Sequence, residues 1–530
     1  MRRVARAALP GAALLILIAP LWLFSRFPSQ DGPTHVYNAR LALLLLREPS
    51  EVLRAFFEWN LDLFPNWFSQ ASLAALLTLL PPLWAEKLLL TAYALSVPLS
   101  FRYALVGFRP KAAPLAWLSV PFVLNRYVHE GFYNRAFAVV PFFLALGFYA
   151  RRRGALPSRP AAVLGLIVLW LYFCAGSSFL LLVVLLALLA VAFTLQDAAA
   201  GLPRWKAARA RLPGLAALAP ALALLLRFEI QQHPEQTGVP PGFLERARYL
   251  LGLYDLVVFD MREAWIAAAL ALLLGAALVL AALARRKDGG WRAEDALLVT
   301  ALVYTALYFT APRVSVPGMH SEPTHLRLSL HVQLGFVFWI ALGLRERAAR
   351  LVLVGALAGG LALTAVRLPY YARLDALVAD QAALAASIPR GATFLPLSFD
   401  HEGDGGSRWP LPEDCIIGPL RHAADRIATE RDLVSMDDYQ ADTPWFPLQF
   451  RAGANAHELL QSRLDSPGCV RIARFNRLAP RPIDFVLVWR RDLAPADACT
   501  RATLRAVDAA YRRVRVSPLG YAELLERRGD

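Results

Sequence analysis

Apolar residues in this chain come in long runs broken by short polar clusters, which is the pattern of repeated membrane crossings and not of strands alternating in and out of a core. A helix needs about 20 mostly apolar residues to cross the hydrocarbon. On that measure spans are expected at 7–25, 86–106, 112–125, 136–150, 160–176, 178–195, 213–228, 263–284, 295–311, 328–344 and 349–368, eleven in all. The stretch WFSQASLAALLTLLPPL, Trp67 to Leu83, has an apolar core only from Ala71 to Leu80 and ends in Pro81-Pro82, so it reads as an interfacial or re-entrant helix. A second interfacial helix is expected near 33–46. The start MRRVARAALPGAALLILIAPLWLF resembles a signal peptide, but no small-x-small cleavage site follows before Phe27, and a retained first span is expected.

The texture changes after residue 368. The segments TFLPLSF (393–399), VRIARF (470–475), DFVLVW (484–489) and RVRVS (513–517) read as strands. RLDALVADQAALAASI, NAHELLQSRL and DACTRATLRAVDAAYRRV have helical spacing. The expected fold is therefore an α-helical polytopic membrane body, residues 1–368, followed by a soluble α/β domain, residues 369–530, long enough to bury a core of its own. Cys415, Cys469 and Cys499 lie in that tail, enough for one disulfide of any pairing, whereas Cys174 sits in a span as inert packing. There is no convincing internal repeat.

Charge orients the spans. The clusters RPK (109–111), RRR (151–153), RWKAARAR (204–211), RRK (285–287) and RERAAR (345–350) all fall on the side of the N-terminus, which cytoplasmic loops would explain. With eleven spans, the loop at 25–85 and the tail then share the extracytoplasmic side. Counting 67–83 as a crossing would invert every later loop. The composition, 57% hydrophobic and 18% charged, excludes an ordinary soluble enzyme, and it reassigns the net charge of +15 from nucleic acid to membrane insertion.

Candidate chemistry gathers in the external loops. QDGPTH supplies Asp31 and His35, with Glu58 and Asp62 further along the first loop. NRYVHEGFYNR (125–135) adds Arg126, His129, Glu130 and Arg135; PRVSVPGMHSEPTHLR (312–327) adds Arg313, His320, Glu322, His325 and Arg327; the 229–262 loop, with Arg262, covers them. Acids, histidines and arginines around one cavity can bind a divalent ion, take a proton or hold a phosphate. Plainer roles compete: Asp31 as the cap of a helix opened by Pro33, His35 as an interfacial polar group, His129 and Glu130 as a solvated loop, Arg313 and Arg327 as snorkelling charges. Zinc, phosphate-loop and Ser-His-Asp signatures are missing from the sequence.

An inside N-terminus, one span, an acid opening a long external loop with two interfacial helices, a many-span body and an α/β tail together resemble the GT-C superfamily of integral-membrane glycosyltransferases, including bacterial relatives of protein mannosyltransferases and aminoarabinose transferases. The resemblance is carried by QDGPTHVYNA, by PNWFSQASLAALLTLL with the following AEKLLL, and by residues 125–135. It implies transfer of a sugar from a polyprenyl phosphate to an extracytoplasmic glycan, lipid or protein acceptor, in the inner (plasma) membrane. Asp31 would be the general base and Glu130 a second catalytic acid. His35, Arg126, His129, Arg135, Arg313, His320, His325 and Arg327 would bind substrate, and a divalent metal such as Mg or Mn would have Asp31 and Glu130 as candidate ligands. Many members carry two adjacent acids where this chain has Asp31 and Gly32. The rival reading is a transporter or flippase of envelope glycan precursors, which would favour charges in mid-span; almost none are seen. A membrane-anchored sensor needs fewer spans.

Overall fold

The computed structural model describes residues 11–47, 50–231, 235–236, 242–289, 292–315, 322–323, 325–403, 417–462, 464 and 469–529. Among these, six helices are long and apolar enough to cross a membrane: Pro82–Phe108, Tyr133–Arg151, Gly176–Ala199, Met261–Lys287, Leu326–Gly343 and Glu346–Ser387. The pair Arg204–Ala216 and Ala219–Gln231, bent by 55°, raises the number to seven if it is one span. Gly11–Leu23, Ser158–Cys174 and Asp295–Thr310 occupy expected spans but are shorter. The stretch expected to cross at 112–125 is instead a 3-10 helix, Pro110–Phe122, whose interior Pro114 and Pro121 lack the N–H for α-helical hydrogen bonds. Of the eleven expected crossings, six, or seven with the bent pair, meet this length and composition test among the described residues.

The loops sort to two ends of the bundle. At one end Arg109 donates to the Leu342 carbonyl, Arg151 to the Tyr103 carbonyl at 2.9 Å, Arg153 and Arg211 pair with Asp197, and Arg285 pairs with Glu294 at 2.9 Å. At the other end the 27–31, 122–133 and 254–261 segments meet. Arg367 pins them: its guanidinium pairs with Glu263 at 2.9 Å and donates to the Leu124 and Leu256 carbonyls, while Glu263 accepts the Val258 and Phe259 amides at 3.0 and 2.9 Å. Four satisfied partners make this buried pair a rigid joint instead of a buried charge penalty.

The last membrane helix is the bridge to the tail. Glu346–Ala382 has 37 residues and runs through Pro369 without ending there. At 1.5 Å per residue it is roughly 55 Å long, far beyond the ~30 Å hydrocarbon core, so its second half projects. On that half Asp375 accepts the amides of Ser25 and Arg26 at 3.0 and 2.9 Å, fixing where the first helix releases the chain.

The tail is built on a mixed five-stranded sheet in the order β6-β5-β8-β10-β9, where β5 is Thr393–Ser398, β6 Val434–Ser435, β8 Phe485–Trp489, β9 Tyr511–Val516 and β10 Ala522–Arg527. β5 runs parallel to β6 and β8, and the other pairs are antiparallel. β5 and β8 are buried throughout all but one position, as central strands covered on both faces require. VRIARF, expected as a strand, is the start of helix Ile472–Leu478: Ile472 and Phe475, three apart, share its buried face. Cys469 and Cys499 form a disulfide, and Cys415 lies outside the described residues.

Helix Gly32–Arg47 does not lie free at an interface. Its polar side chains are consumed by the tail: Thr34 donates to Asp425 at 2.7 Å, Asn38 to Asp438 at 2.9 Å, and Arg40 to Asp432 at 2.8 Å. Tyr37 donates to the Leu433 carbonyl at 2.8 Å and accepts the Ser435 amide at 2.9 Å, so it clasps β6 on both sides. A second join is made by backbone, where β1 (Phe57–Trp59) pairs antiparallel with β7 (Leu448–Phe450). The first loop and the tail are therefore interlocked along both main chain and side chains.

Candidate functional site

The position of Asp31 is set by main-chain bonds to the second loop. The Gln30 amide donates to the His129 carbonyl at 2.9 Å and the Asp31 amide to the Glu130 carbonyl at 3.0 Å. This approach needs Gly131, whose φ is +82° and where a Cβ would sit 2.4 Å from the Gly32 nitrogen. The Asp31 carbonyl then accepts the His35 amide at 3.1 Å and starts the helix. The carboxylate is bonded to side chains: Gln30 Nε2 donates to Oδ1 at 3.1 Å, and the Tyr439 hydroxyl bonds it as well. The partners found for the carboxylate are thus side chains.

Most of the wall around Asp31 comes from the tail. β6 leads directly into Met436–Gln440, and its clasp by Tyr37 lays that loop over Asp31. His422 Nδ1 is 3.0 Å from Asp437 Oδ2, and its Nε2 is 3.9 Å from Asp31 Oδ1. The Tyr439 ring packs on His422 at 4.9 Å. Gln440 Nε2 reaches the Tyr439 hydroxyl at 3.1 Å and His35 Nδ1 at 3.3 Å, and its Oε1 accepts from Gln70 at 2.7 Å. Asp31 retains only 5% of its exposure. Burial raises its pKa, while the opposing influences of His422, Tyr439, Gln30 and Arg421 favour the carboxylate. Burial also lowers His35 to about 4, leaving a neutral ring stacked on Tyr133 at 5.6 Å.

Beneath Asp31 lies a buried carboxylate that sequence reasoning missed. Glu86 pairs with Arg426 at 2.8 Å and accepts the Tyr133 hydroxyl at 2.7 Å, and Tyr133 meets Ser29 at 2.8 Å. The three groups close around Gly32: a Cβ there would lie 2.0 Å from Ser29 Oγ, 2.2 Å from the Tyr133 hydroxyl and 2.7 Å from Glu86 Oε1. A second acid beside Asp31 has no room.

The basic residues form an adjoining cluster. Glu130 pairs with Arg126 at 2.6 Å, Arg135 lies 5.9 Å over the rings of Tyr127 and Phe132, and Arg327 is within electrostatic reach of Arg135 and Glu130. Among the described residues, Arg135 Nη1 is buried with no hydrogen-bond partner. Asp255, also missed, accepts from Ser329 at 2.8 Å, and its pKa is pushed up to about 7, mainly by burial. The arrangement offers buried guanidinium groups to an anion beside a carboxylate able to take a proton.

Other candidates separate from this centre. His129 is a satisfied core residue, its Nδ1 on the Asn125 carbonyl and its Nε2 on the Tyr371 hydroxyl, each at 2.8 Å. His325 packs against Tyr308 and Tyr249 at 5.3 and 6.3 Å. Arg313 lies in β3 (Arg313–Ser315), a strand of the small sheet with β2 (Glu235–Gln236) and β4 (Glu322–Pro323). His320 lies outside the described residues.

The described residues hold no all-protein metal cage. Glu130 is paired with Arg126, Asp31 is faced by an imidazole, an amide and a phenol, and among the described residues no three His, Cys, Asp or Glu side chains converge as a metal site would require. No known protein family matches this chain, and no curated protein matches it in sequence.

Proposed function

We propose that the protein is a membrane glycosyltransferase that moves a sugar from a polyprenyl-phosphate carrier to a hydroxyl-bearing acceptor, with Asp31 as general base. The observation that carries this reading is the buried Asp31 carboxylate at the start of helix Gly32–Arg47, with its amide on the carbonyl of Glu130, whose own side chain pairs with buried Arg126. A lipid-linked sugar presents its reactive carbon at the headgroup plane, so base and phosphate-binding groups belong where spans end. Asp31 takes the proton of the acceptor hydroxyl as its oxygen attacks C1. Arg126, Arg135 and Arg327 stabilise the charge that develops on the departing phosphate. The transition state has oxocarbenium character, and a single displacement inverts the anomeric centre.

The transporter alternative draws less support. Glu86, Arg135, Glu263 and Arg327 all stand within the first few residues of their helices, at the face shared with the loops and tail, and so do not line a route through mid-membrane. The disulfide favours an oxidising compartment for the tail. The test compares lipid-linked sugars and glycosylated products in cells with and without the gene. The reading expects a donor to accumulate and a glycosylated product to vanish; unchanged pools of both would overturn it.

A further inference from the structure

His422 faces Asp31 in a way that a packing role does not require. Its Nδ1 lies 3.0 Å from Asp437 Oδ2, so the N–H on that nitrogen donates to the carboxylate and the tautomer turns Nε2 toward Asp31. The 3.9 Å from Nε2 to Asp31 Oδ1 is longer than a hydrogen bond and short enough for a strong charge contact. Tyr439, stacked on the ring at 4.9 Å and bonded to Asp31 by its hydroxyl, fixes the imidazole plane relative to the carboxylate. Among the described residues, the ring meets Asp31 from the first loop and Asp425, Asp437 and Tyr439 from the tail, while Arg421 acts on Asp31. Asp425 is committed elsewhere, accepting from Thr34 and Ser435 at 2.7 and 2.9 Å.

We propose that His422, oriented by Asp437, is a positioning residue of the transfer reaction, supplied by the tail to set an imidazole against the Asp31 base. This rests on the reading of Asp31 as base. It makes the tail part of the reaction centre: a chain in which 417–440 is not docked on helix Gly32–Arg47 has a base without its partner.

The full-length protein in lipid nanodiscs is titrated by infrared spectroscopy, with the Asp31 carboxyl band identified as the one lost in Asp31→Asn. The interaction with His422 favours the ionised Asp31 carboxylate, so His422→Gln moves the Asp31 midpoint up by about 1 to 3 pH units. Asp437→Asn, which keeps the ring but releases its orientation, moves it in the same direction, and the double variant adds little. A folded His422→Gln protein with an unshifted midpoint overturns the proposal; if that variant does not fold, an unshifted Asp437→Asn does so. The base reading fails separately, if Asp31→Asn protein still makes the glycosylated product.

Discussion

Replacing Gly32 by alanine tests the packing that fixes Asp31. The new Cβ falls 2.0 Å from Ser29 Oγ, 2.2 Å from the Tyr133 hydroxyl and 2.7 Å from Glu86 Oε1. Ser29 can rotate away at small cost. Tyr133 cannot, because its hydroxyl ends a rigid ring stacked on His35 and is held at 2.7 Å by a carboxylate that Arg426 anchors. Overpacking a tight site costs about 1–3 kcal/mol, and losing a buried hydrogen bond to a charged group adds about 1.5–3 kcal/mol. The expected destabilisation is therefore roughly 2.5–6 kcal/mol, read as a lowered thermal midpoint of the purified protein. Tyr133→Phe removes the atom struck hardest after Ser29, so in the Gly32→Ala background it should recover part of the loss, a non-additive coupling expected only for groups in contact. Wild-type stability of Gly32→Ala, or strict additivity with Tyr133→Phe, would refute the reasoning.

Three further outcomes follow from the same geometry. Burial pushes Asp425 up to about 6 and Asp438 up to about 8 from 3.8, so both favour the protonated form when folded; their stabilisation is complete below 3.8 and is lost as pH rises through 6 and 8. Thermal midpoints should accordingly fall between mildly acidic and mildly alkaline pH, and Asp438→Asn should flatten that slope. Arg135→Gln should weaken binding of a polyprenyl phosphate by about ten- to a hundred-fold, measured by titration into nanodiscs, because a charge-assisted bond to phosphate is worth about 1.5–3 kcal/mol; equal affinity would remove Arg135 from the anion site. Single cysteines at Asp62 and Asp508 should both be blocked by an impermeant thiol reagent in intact cells while one at Lys206 is protected, and opposite labelling of Asp62 and Asp508 would break the expected topology.

What the sequence showed and what it hid follow from the range of the interactions involved. Long apolar runs and the strands Thr393–Ser398 and Phe485–Trp489 were legible because their signals are local. The 3-10 stretch at Pro110–Phe122 was read as a crossing because its composition is apolar while its interior prolines alter the backbone. Asp31 was singled out by its place after the first span, and Arg126 with Glu130 by their place in the second external loop. His422, Asp437 and Tyr439 were not, since they meet Asp31 only after a parallel strand pairing and a clasp by Tyr37 nearly 400 residues away in sequence. The usable signal was the crowding of acids in SMDDYQ directly after β6, for loops at the carboxyl ends of parallel strands commonly build sites. Glu86, a lone acid opening an apolar span, was a second overlooked sign.

The central claim is tested most directly by Asp31→Asn. Asparagine keeps the size and the capping ability of aspartate but cannot accept the proton, and loss of a general base typically lowers rate by about 10² to 10⁴. The measurement is transfer of labelled sugar, by the purified variant, from the lipid-linked donor that accumulates in cells lacking the gene. The account predicts that transfer falls by at least about a hundredfold while folding and donor binding persist; transfer near the wild-type rate would contradict it and return Asp31 to a structural role.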